Sequence, residues 1–143
     1  MATGRSLGTR EAPDRDRRSA LHYAATSGDL GEVVRLIAAG ADVRCVDRYG
    51  WTPLHFAVQS RNAAVAAALL DAGAEVDARD EHGNTPLFRA VFNSRGEGEV
   101  IGLLRERGAD PHAANRDGQS PLALARLIAN YDVARHFQDV PQG

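Results

Sequence analysis

The sequence predicts an all-α solenoid of four helix-turn-helix units, because three sequence markers recur in phase along it. The first marker is a tetrapeptide of the Ser/Thr-Pro-Leu-His type, spaced by 33, 33 and 35 residues, that begins at Ser19, Thr52, Thr85 and Ser120. The second is a Gly-Ala-Asp/Glu triplet at Gly40, Gly73 and Gly108. The third is an Asp or Asn five residues before each marker Ser or Thr. Chance is a poor explanation for three markers that keep one period.

Each unit is predicted to start with a tight turn and to continue into a short helix. A glycine two residues before the capping residue suits a turn with positive φ, at Gly50, Gly83 and Gly118. The Ser or Thr can cap the helix, and a proline follows at the first helical position in copies two to four. About a dozen residues later, apolar residues recur at helical spacing in a second helix, which the glycine of the triplet ends. No unit can bury its own apolar face, so stacking must make the core.

Copy two contains the complete pattern Asp-x-x-Gly-x-Thr-Pro-Leu-His-x-Ala, as DRYGWTPLHFA (Asp47–Ala57). This sequence resembles the ankyrin repeat family over about residues 13–141, as four copies at about 14–46, 47–79, 80–114 and 115–141. The first and last copies are degenerate, as expected of end caps. The resemblance implies a solenoid whose turns project as turn or hairpin fingers, and residues 1–12 are expected to form a flexible tail.

The composition indicates an ordinary folded protein. The chain has 143 residues, 43% of them hydrophobic, and a formal charge of −2, which is too small to argue for nucleic acid or a membrane. No stretch has the length of a signal peptide or a membrane span, and the single cysteine excludes an internal disulfide. We therefore expect a cytoplasmic protein that does not contact a membrane and is monomeric alone.

No residue pattern in the sequence indicates catalysis, a cofactor or a metal. His22 and His55 lie at the His position of the tetrapeptide in different copies, without another ligand at metal-binding spacing. The resemblance implies that this His bridges the turns of adjacent repeats. Cys45 reads as an inert small hydrophobe, and RGEGEV (95–100) does not complete a phosphate-binding loop. We therefore expect no enzyme; an enzyme would need a polar pocket with strongly shifted pKa values.

The longer last spacing reflects two extra residues in NSRGEGE (93–99), between the two helices of copy three. This Gly-bearing loop could add a contact at the edge of a binding face. The alternative is drift in the length of a tolerant surface loop.

The resemblance implies that partners bind the concave face formed by the fingers and the first helices. Carried over position by position, it predicts partner-binding residues at Arg48, Tyr49, Trp51, Gln59, Arg79, Glu81, His82, Asn84, Phe92 and Arg116. Trp51 is expected to face solvent as a central anchor, since Trp, Tyr and Arg are frequent interface hot spots. The alternative is that Trp51 folds down onto neighbouring fingers, for example under Arg18 as a cation–π lid.

The predicted function is protein binding without catalysis, as an inhibitor, an adaptor or a sequestering protein. Five arginines and three carboxylates at the expected face positions give it a charge of +2, which favours a partner with an acidic or mixed surface. A bacterial immunity-type protein is one possibility within the family's range. The alternative is nucleic-acid binding, with the same arginines on phosphates and the aromatic rings on bases; the absence of a dense basic patch disfavours it.

Overall fold

The computed structural model describes residues 15–128 and 131–141. Those residues form seven α-helices and one short 3-10 helix. The helices are α1 (Ala20–Ser27), α2 (Leu30–Ala38), α3 (Pro53–Gln59), α4 (Ala63–Asp71), α5 (Pro86–Asn93), α6 (Glu99–Glu106) and α7 (Pro121–Leu127), and the 3-10 helix is Ala134–Phe137. The order of turn, first helix and second helix matches the sequence prediction for copies one to three.

The helices stack in two layers. The first helices α1, α3, α5 and α7 pack side by side, the second helices α2, α4 and α6 form the other layer, and α1, α3 and α5 each pack against the second helix of the same repeat. The leucine of each tetrapeptide is buried between the layers, at Leu21, Leu54, Leu87 and Leu122. Valines of the second helices meet them from the opposite side, at Val33, Val65 and Val100. Since these contacts run from one repeat to the next, the core is continuous along the stack.

The capping residues and the histidines of the tetrapeptide have the roles that the sequence predicts. The Thr52 side chain accepts a hydrogen bond from the His55 backbone N–H, and the Thr52 N–H donates to His55 Nδ1 at 3.1 Å. On its other side His55 Nε2 donates to the Asn84 carbonyl at 3.1 Å, and His22 Nε2 donates to the Trp51 carbonyl at 2.8 Å. Each histidine thus bridges to the turn of the next repeat, which confirms the structural role expected for His22 and His55.

Adjacent fingers lie so close that their backbones touch. The Asp47 N–H donates to the Trp51 carbonyl at 2.9 Å and closes the second finger. The Glu81 N–H then donates to the Tyr49 carbonyl at 3.0 Å and joins the third finger to the second. Gly50 has a φ of +80°, and a Cβ there would lie 2.9 Å from the Glu81 nitrogen. The turn therefore requires glycine for two reasons: the positive φ, and the close approach of the next finger's backbone.

The loop with the two extra residues contacts the C-terminal end of the chain. The Gly96 carbonyl accepts hydrogen bonds from Arg135 Nη2 and His136 Nε2, each at 3.0 Å. A Cβ on Gly98 would overlap the ring of His136, and a Cβ on Gly96 would press on Tyr131. The inserted loop therefore forms an intramolecular contact that holds the C-terminal segment.

The sequence predicts a second helix in copy four, and this prediction is wrong. Val133 and Phe137 are buried as expected, but within the described residues they belong to a short 3-10 helix and its flanking turn. Arg105 holds this segment through a bidentate ion pair to Asp139 at 2.6 and 2.8 Å, and its Nη1 also donates to the His136 carbonyl at 3.0 Å. The Arg105 side chain of copy three therefore holds this segment in place without a second α-helix in copy four. No helix in the described part of the chain is long and apolar enough to cross a membrane.

Candidate functional site

The structure brings most of the predicted partner-binding residues to one surface, formed by the fingers and the first helices. We call this surface the finger face. Eight of the ten residues are exposed on it: Arg48, Tyr49, Gln59, Arg79, Glu81, His82, Phe92 and Arg116. Trp51 is half-buried and Asn84 is buried.

Asn84 was predicted to contact a partner, and its burial contradicts this. Only 8% of its surface is exposed, and its Oδ1 accepts a hydrogen bond from Asn115 Nδ2 of the next finger at 2.8 Å. The Asn84 N–H donates to Asp80 Oδ1 at 2.9 Å within its own finger. Asn84 is therefore a link between fingers, and its polar groups are used inside the protein.

Contacts with neighbouring side chains leave the Trp51 ring only partly accessible to solvent. The Trp51 and Phe56 ring centroids are 4.8 Å apart, and the Arg89 guanidinium lies over the Trp51 ring at 4.6 Å. Arg18 covers Phe56 instead, at 4.9 Å. Trp51 is thus less exposed than the expectation of a solvent-facing ring implies, because the ring packs onto Phe56. The alternative predicted a cation–π contact that covers Trp51. Such a contact is present, but Arg89 makes it and not Arg18.

Trp51 also changes the hydrogen bonding between fingers. At the equivalent position of copy one, Arg18 Nε donates to Asp47 Oδ2 of the next finger at 3.2 Å. Trp51 makes no such bond to the next finger, and Asp80 Oδ2 is buried without a hydrogen-bond partner. Arg89 Nη2 approaches this oxygen to 3.5 Å as an ionic contact, while the buried Nε of Arg89 also lacks a hydrogen-bond partner. The indole ring therefore replaces a polar link that the first and third fingers make with their neighbours.

These side chains surround a pocket of about 250 Å³ at the base of the second and third fingers. The pocket is lined by three aromatic residues, two arginines, one carboxylate and one histidine: Arg18, Tyr49, Trp51, Phe56, Glu81, His82 and Arg89. Glu81 and His82 contact each other, with 3.4 Å between Glu81 Oε1 and His82 Nε2. The pocket thus joins residues of three successive repeats.

Three lining residues, Arg18, Phe56 and Arg89, are absent from the set of ten predicted above. Phe56 and Arg89 each lie four residues after a capping threonine, so they occupy the same place on α3 and α5. One helical turn after the cap, this position points toward the fingers. Comparing the residue at this position across copies is the signal that could have identified both.

A further apolar surface lies at the ends of the later first helices. Phe92 is 62% exposed and Leu127 is 69% exposed, at equivalent positions of α5 and α7. Clusters of exposed, large apolar side chains are a common feature of binding surfaces. Phe92 therefore remains a candidate contact residue.

Cys45 is half-buried beside the first helix. Burial raises the pKa of the Cys45 thiol, and its Sγ lies 3.4 Å from Ser19 Oγ. A thiol held protonated is a poor nucleophile. Among the described residues, no cluster of His, Cys, Asp or Glu has the arrangement of a metal site.

A family model for ankyrin repeats, in three copies, matches residues 21–115. The match covers more than half of the chain and includes the fingers and first helices around the pocket. A comparison with curated proteins gave no match. Ankyrin repeats are generally protein–protein interaction modules and are typically not catalytic. Together with the stacked helix pairs and bridging histidines described above, the match establishes that the chain belongs to the ankyrin repeat family.

Proposed function

We propose that this protein acts by binding another protein through the finger face and catalyses no reaction itself. The proposal is supported mainly by the aromatic ring of Trp51. At the equivalent position, copies one and three have a polar side chain, Arg18 or Asn84, that forms a hydrogen bond to the next finger. The presence of Trp51 leaves Asp80 Oδ2 without a hydrogen bond. Local departures from the best-folding choice are expected at functional sites, because selection there acts on binding.

The charges of the finger face favour a partner with an acidic or mixed surface. Arg48 and Arg116 are exposed on the second and fourth fingers, and neither forms an ion pair with the described residues. Glu81 and Asp117 are exposed among them and prevent a continuous basic surface. Arginines at the rim of an interface steer association and select complementary partners, while apolar groups at its centre supply most of the affinity.

The mode of action that we propose is inhibition, bridging or sequestration, by a monomer in the cytoplasm. A compact stack of this kind can block or hold a partner simply by covering its surface. A bacterial immunity-type protein, which neutralises a toxin by binding it, is one such role.

The test is a pull-down from lysate of the native source, read by mass spectrometry, with a face variant and a matched control. The face variant is Arg48→Ala combined with Phe92→Ala, since both side chains are exposed on the finger face. The control is Arg35→Ala combined with Val34→Ala, because both side chains are exposed on α2 in the other layer. Circular dichroism and thermal unfolding would verify that both variants fold.

We expect one protein to be retained by the wild type and the control and lost by the face variant. A loss of about 2 kcal/mol, or roughly thirtyfold in affinity, would identify hot-spot residues. Equal retention by all three proteins would contradict binding through the finger face. Nucleic acid in the eluate, with an affinity that falls steeply as salt rises, would instead support the alternative function.

A further inference from the structure

The pocket at the base of the second and third fingers has rigid walls. Trp51 and Phe56 pack at 4.8 Å with a ring tilt of 49°, and each ring carries an arginine on its other surface. Arg18 is also held by Asp47, with 3.2 Å between Nε and Oδ2, and Arg89 is held near Asp80. Because the walls are braced in this way, the pocket is present before any partner binds.

The size of the pocket suits a single side chain. Its volume of about 250 Å³ lies below the roughly 300–1,000 Å³ of sites for drug-sized ligands. Pockets that receive one anchoring side chain from a partner are a common feature of protein interfaces, and the anchors are often aromatic. The pocket therefore fits one large side chain of a partner protein.

The charges around the pocket favour an uncharged occupant. Each arginine of the wall faces a buried aspartate, as Arg18 does with Asp47 and Arg89 with Asp80, so neither contributes an uncompensated charge. The remaining charged lining residue is Glu81, whose carboxylate would repel an entering carboxylate. A cationic side chain would lose its hydration there, and Arg18 and Arg89 already occupy the cation–π positions over the Phe56 and Trp51 rings. A neutral side chain avoids both penalties.

The polar groups favour an aromatic side chain that also carries a hydroxyl. The Arg89 side chain lines the pocket and forms no hydrogen bond with the described residues. Its Nε is buried, so the donor capacity that it offers the pocket is that of its Nη groups. Glu81 also lines the pocket and offers an acceptor. A phenol oxygen can accept from a guanidinium and donate to a carboxylate, while its ring makes edge contacts with the aromatic walls.

We propose that this pocket receives one uncharged aromatic side chain of the partner protein, with tyrosine as the best match. The inference rests on the proposed function and specifies it. The partner surface would then present a tyrosine at its centre, with acidic groups around it that meet the finger arginines.

The test uses the full chain, labelled with ¹⁵N, and three small probes: N-acetyl-tyrosinamide, N-acetyl-leucinamide and N-acetyl-aspartic acid amide. Trp51 is the only tryptophan, so its indole N–H gives one assigned signal at the pocket. We expect a saturable shift of this signal with the tyrosine probe, at a Kd on the order of 1 mM, as suits a ligand of this size. The leucine and aspartic acid probes should bind at least about fivefold more weakly, because they lack the ring or carry a charge.

Two variants test whether the probes bind in the pocket. Glu81→Gln removes the carboxylate, so it should strengthen binding of the aspartic acid probe and weaken binding of the tyrosine probe. Val34→Ala is the control, since Val34 is exposed on α2 in the other layer and does not line the pocket, and it should leave all three affinities unchanged.

Three results would overturn the inference. Binding of the aspartic acid probe to the wild type at least as tightly as the tyrosine probe would identify an anion site. Equal binding of the leucine and tyrosine probes would remove the preference for an aromatic ring, and no shift with the tyrosine probe would remove the pocket as an anchor site. Any of these, together with a positive pull-down, would leave the proposed function intact and reject only this inference. Probe binding with a negative pull-down would reject the proposed function and, with it, a partner's side chain as the occupant, and would leave only a pocket that prefers an aromatic group.

Discussion

Replacing Gly50 by alanine should destabilise the protein much more than replacing Gly118, although the two residues have the same role in their own fingers. Their φ angles are +80° and +78°, so an alanine at either position pays about 1–2 kcal/mol for the left-handed conformation. The loss of chain freedom in the unfolded state offsets about 0.4–1 kcal/mol of this. The net conformational cost is therefore about 1 kcal/mol at both positions.

The two positions differ in what the new methyl group meets. At Gly50 a Cβ would lie 2.9 Å from the Glu81 nitrogen and 3.1 Å from the Asp80 Cα, both in the backbone of the next finger. Since unstrained heavy atoms stay about 3.5–4.0 Å apart, the fingers must separate, at a further cost of about 1–3 kcal/mol. At Gly118 a Cβ would meet no described atom within 4 Å.

The assay is urea and thermal unfolding followed by the helical circular dichroism signal. We expect a loss of about 2–4 kcal/mol for Gly50→Ala and about 1 kcal/mol for Gly118→Ala, with Tm decreases of roughly 6–12 °C and 3 °C. Equal losses in the two variants would refute the reasoning, because they would show that contact between fingers adds nothing to the conformational cost.

Three further predictions concern the C-terminal contact and two buried groups. Gly98→Ala should displace the His136 ring from the inserted loop, lower the free energy of unfolding by about 1 kcal/mol and speed hydrogen exchange in residues 134–137; unchanged exchange there would contradict the contact. Burial lowers the pKa of His55, so below about pH 6.5 the unfolded state binds this proton more readily than the native state does. Stability should therefore fall between pH 7 and 5, by up to about 1.4 kcal/mol per pH unit, and urea titrations of His55→Gln should lack this component. Burial raises the pKa of the Cys45 thiol, so an aromatic disulfide reagent at pH 8 should react at least about tenfold faster with the urea-unfolded chain; equal rates would contradict the burial.

The sequence was sufficient to predict the features that depend on local chemistry repeated in each copy. Capping by Thr52 and the positive φ of Gly50 each follow from one residue and its place in the repeat, and the bridging role of His55 was implied by the family resemblance. Such features are determined within a few residues, and the period of the repeat places them in space. The stacked helix pairs of copies one to three followed for the same reason.

The environment of each finger-face residue could not be predicted in this way. A repeat position describes the average direction of a side chain, whereas burial depends on which side chain the neighbouring copy places beside it. Asn84 is buried because Asn115 of the next finger bonds to it, and Trp51 is half-buried because Phe56 lies beneath it and Arg89 above it. These pairings involve residues 5 to 38 positions apart, and a single sequence does not reveal them.

The contrast between copies one and two ties the stability of the stack to its function. A polar residue at position 51 could serve Asp80 as Arg18 serves Asp47. Asp80 Oδ2 instead has only the 3.5 Å ionic contact with Arg89, which offsets part of the roughly 1–3 kcal/mol that a buried acceptor without a hydrogen bond costs. Stacking of Trp51 between Phe56 and Arg89 recovers part of this cost through buried apolar area and a cation–π contact. The same stacking leaves one edge of the indole ring on the pocket, beside groups from three repeats. An arrangement that gives up one side-chain link between fingers and gains an aromatic pocket is what we expect if the finger face binds a partner, as proposed above.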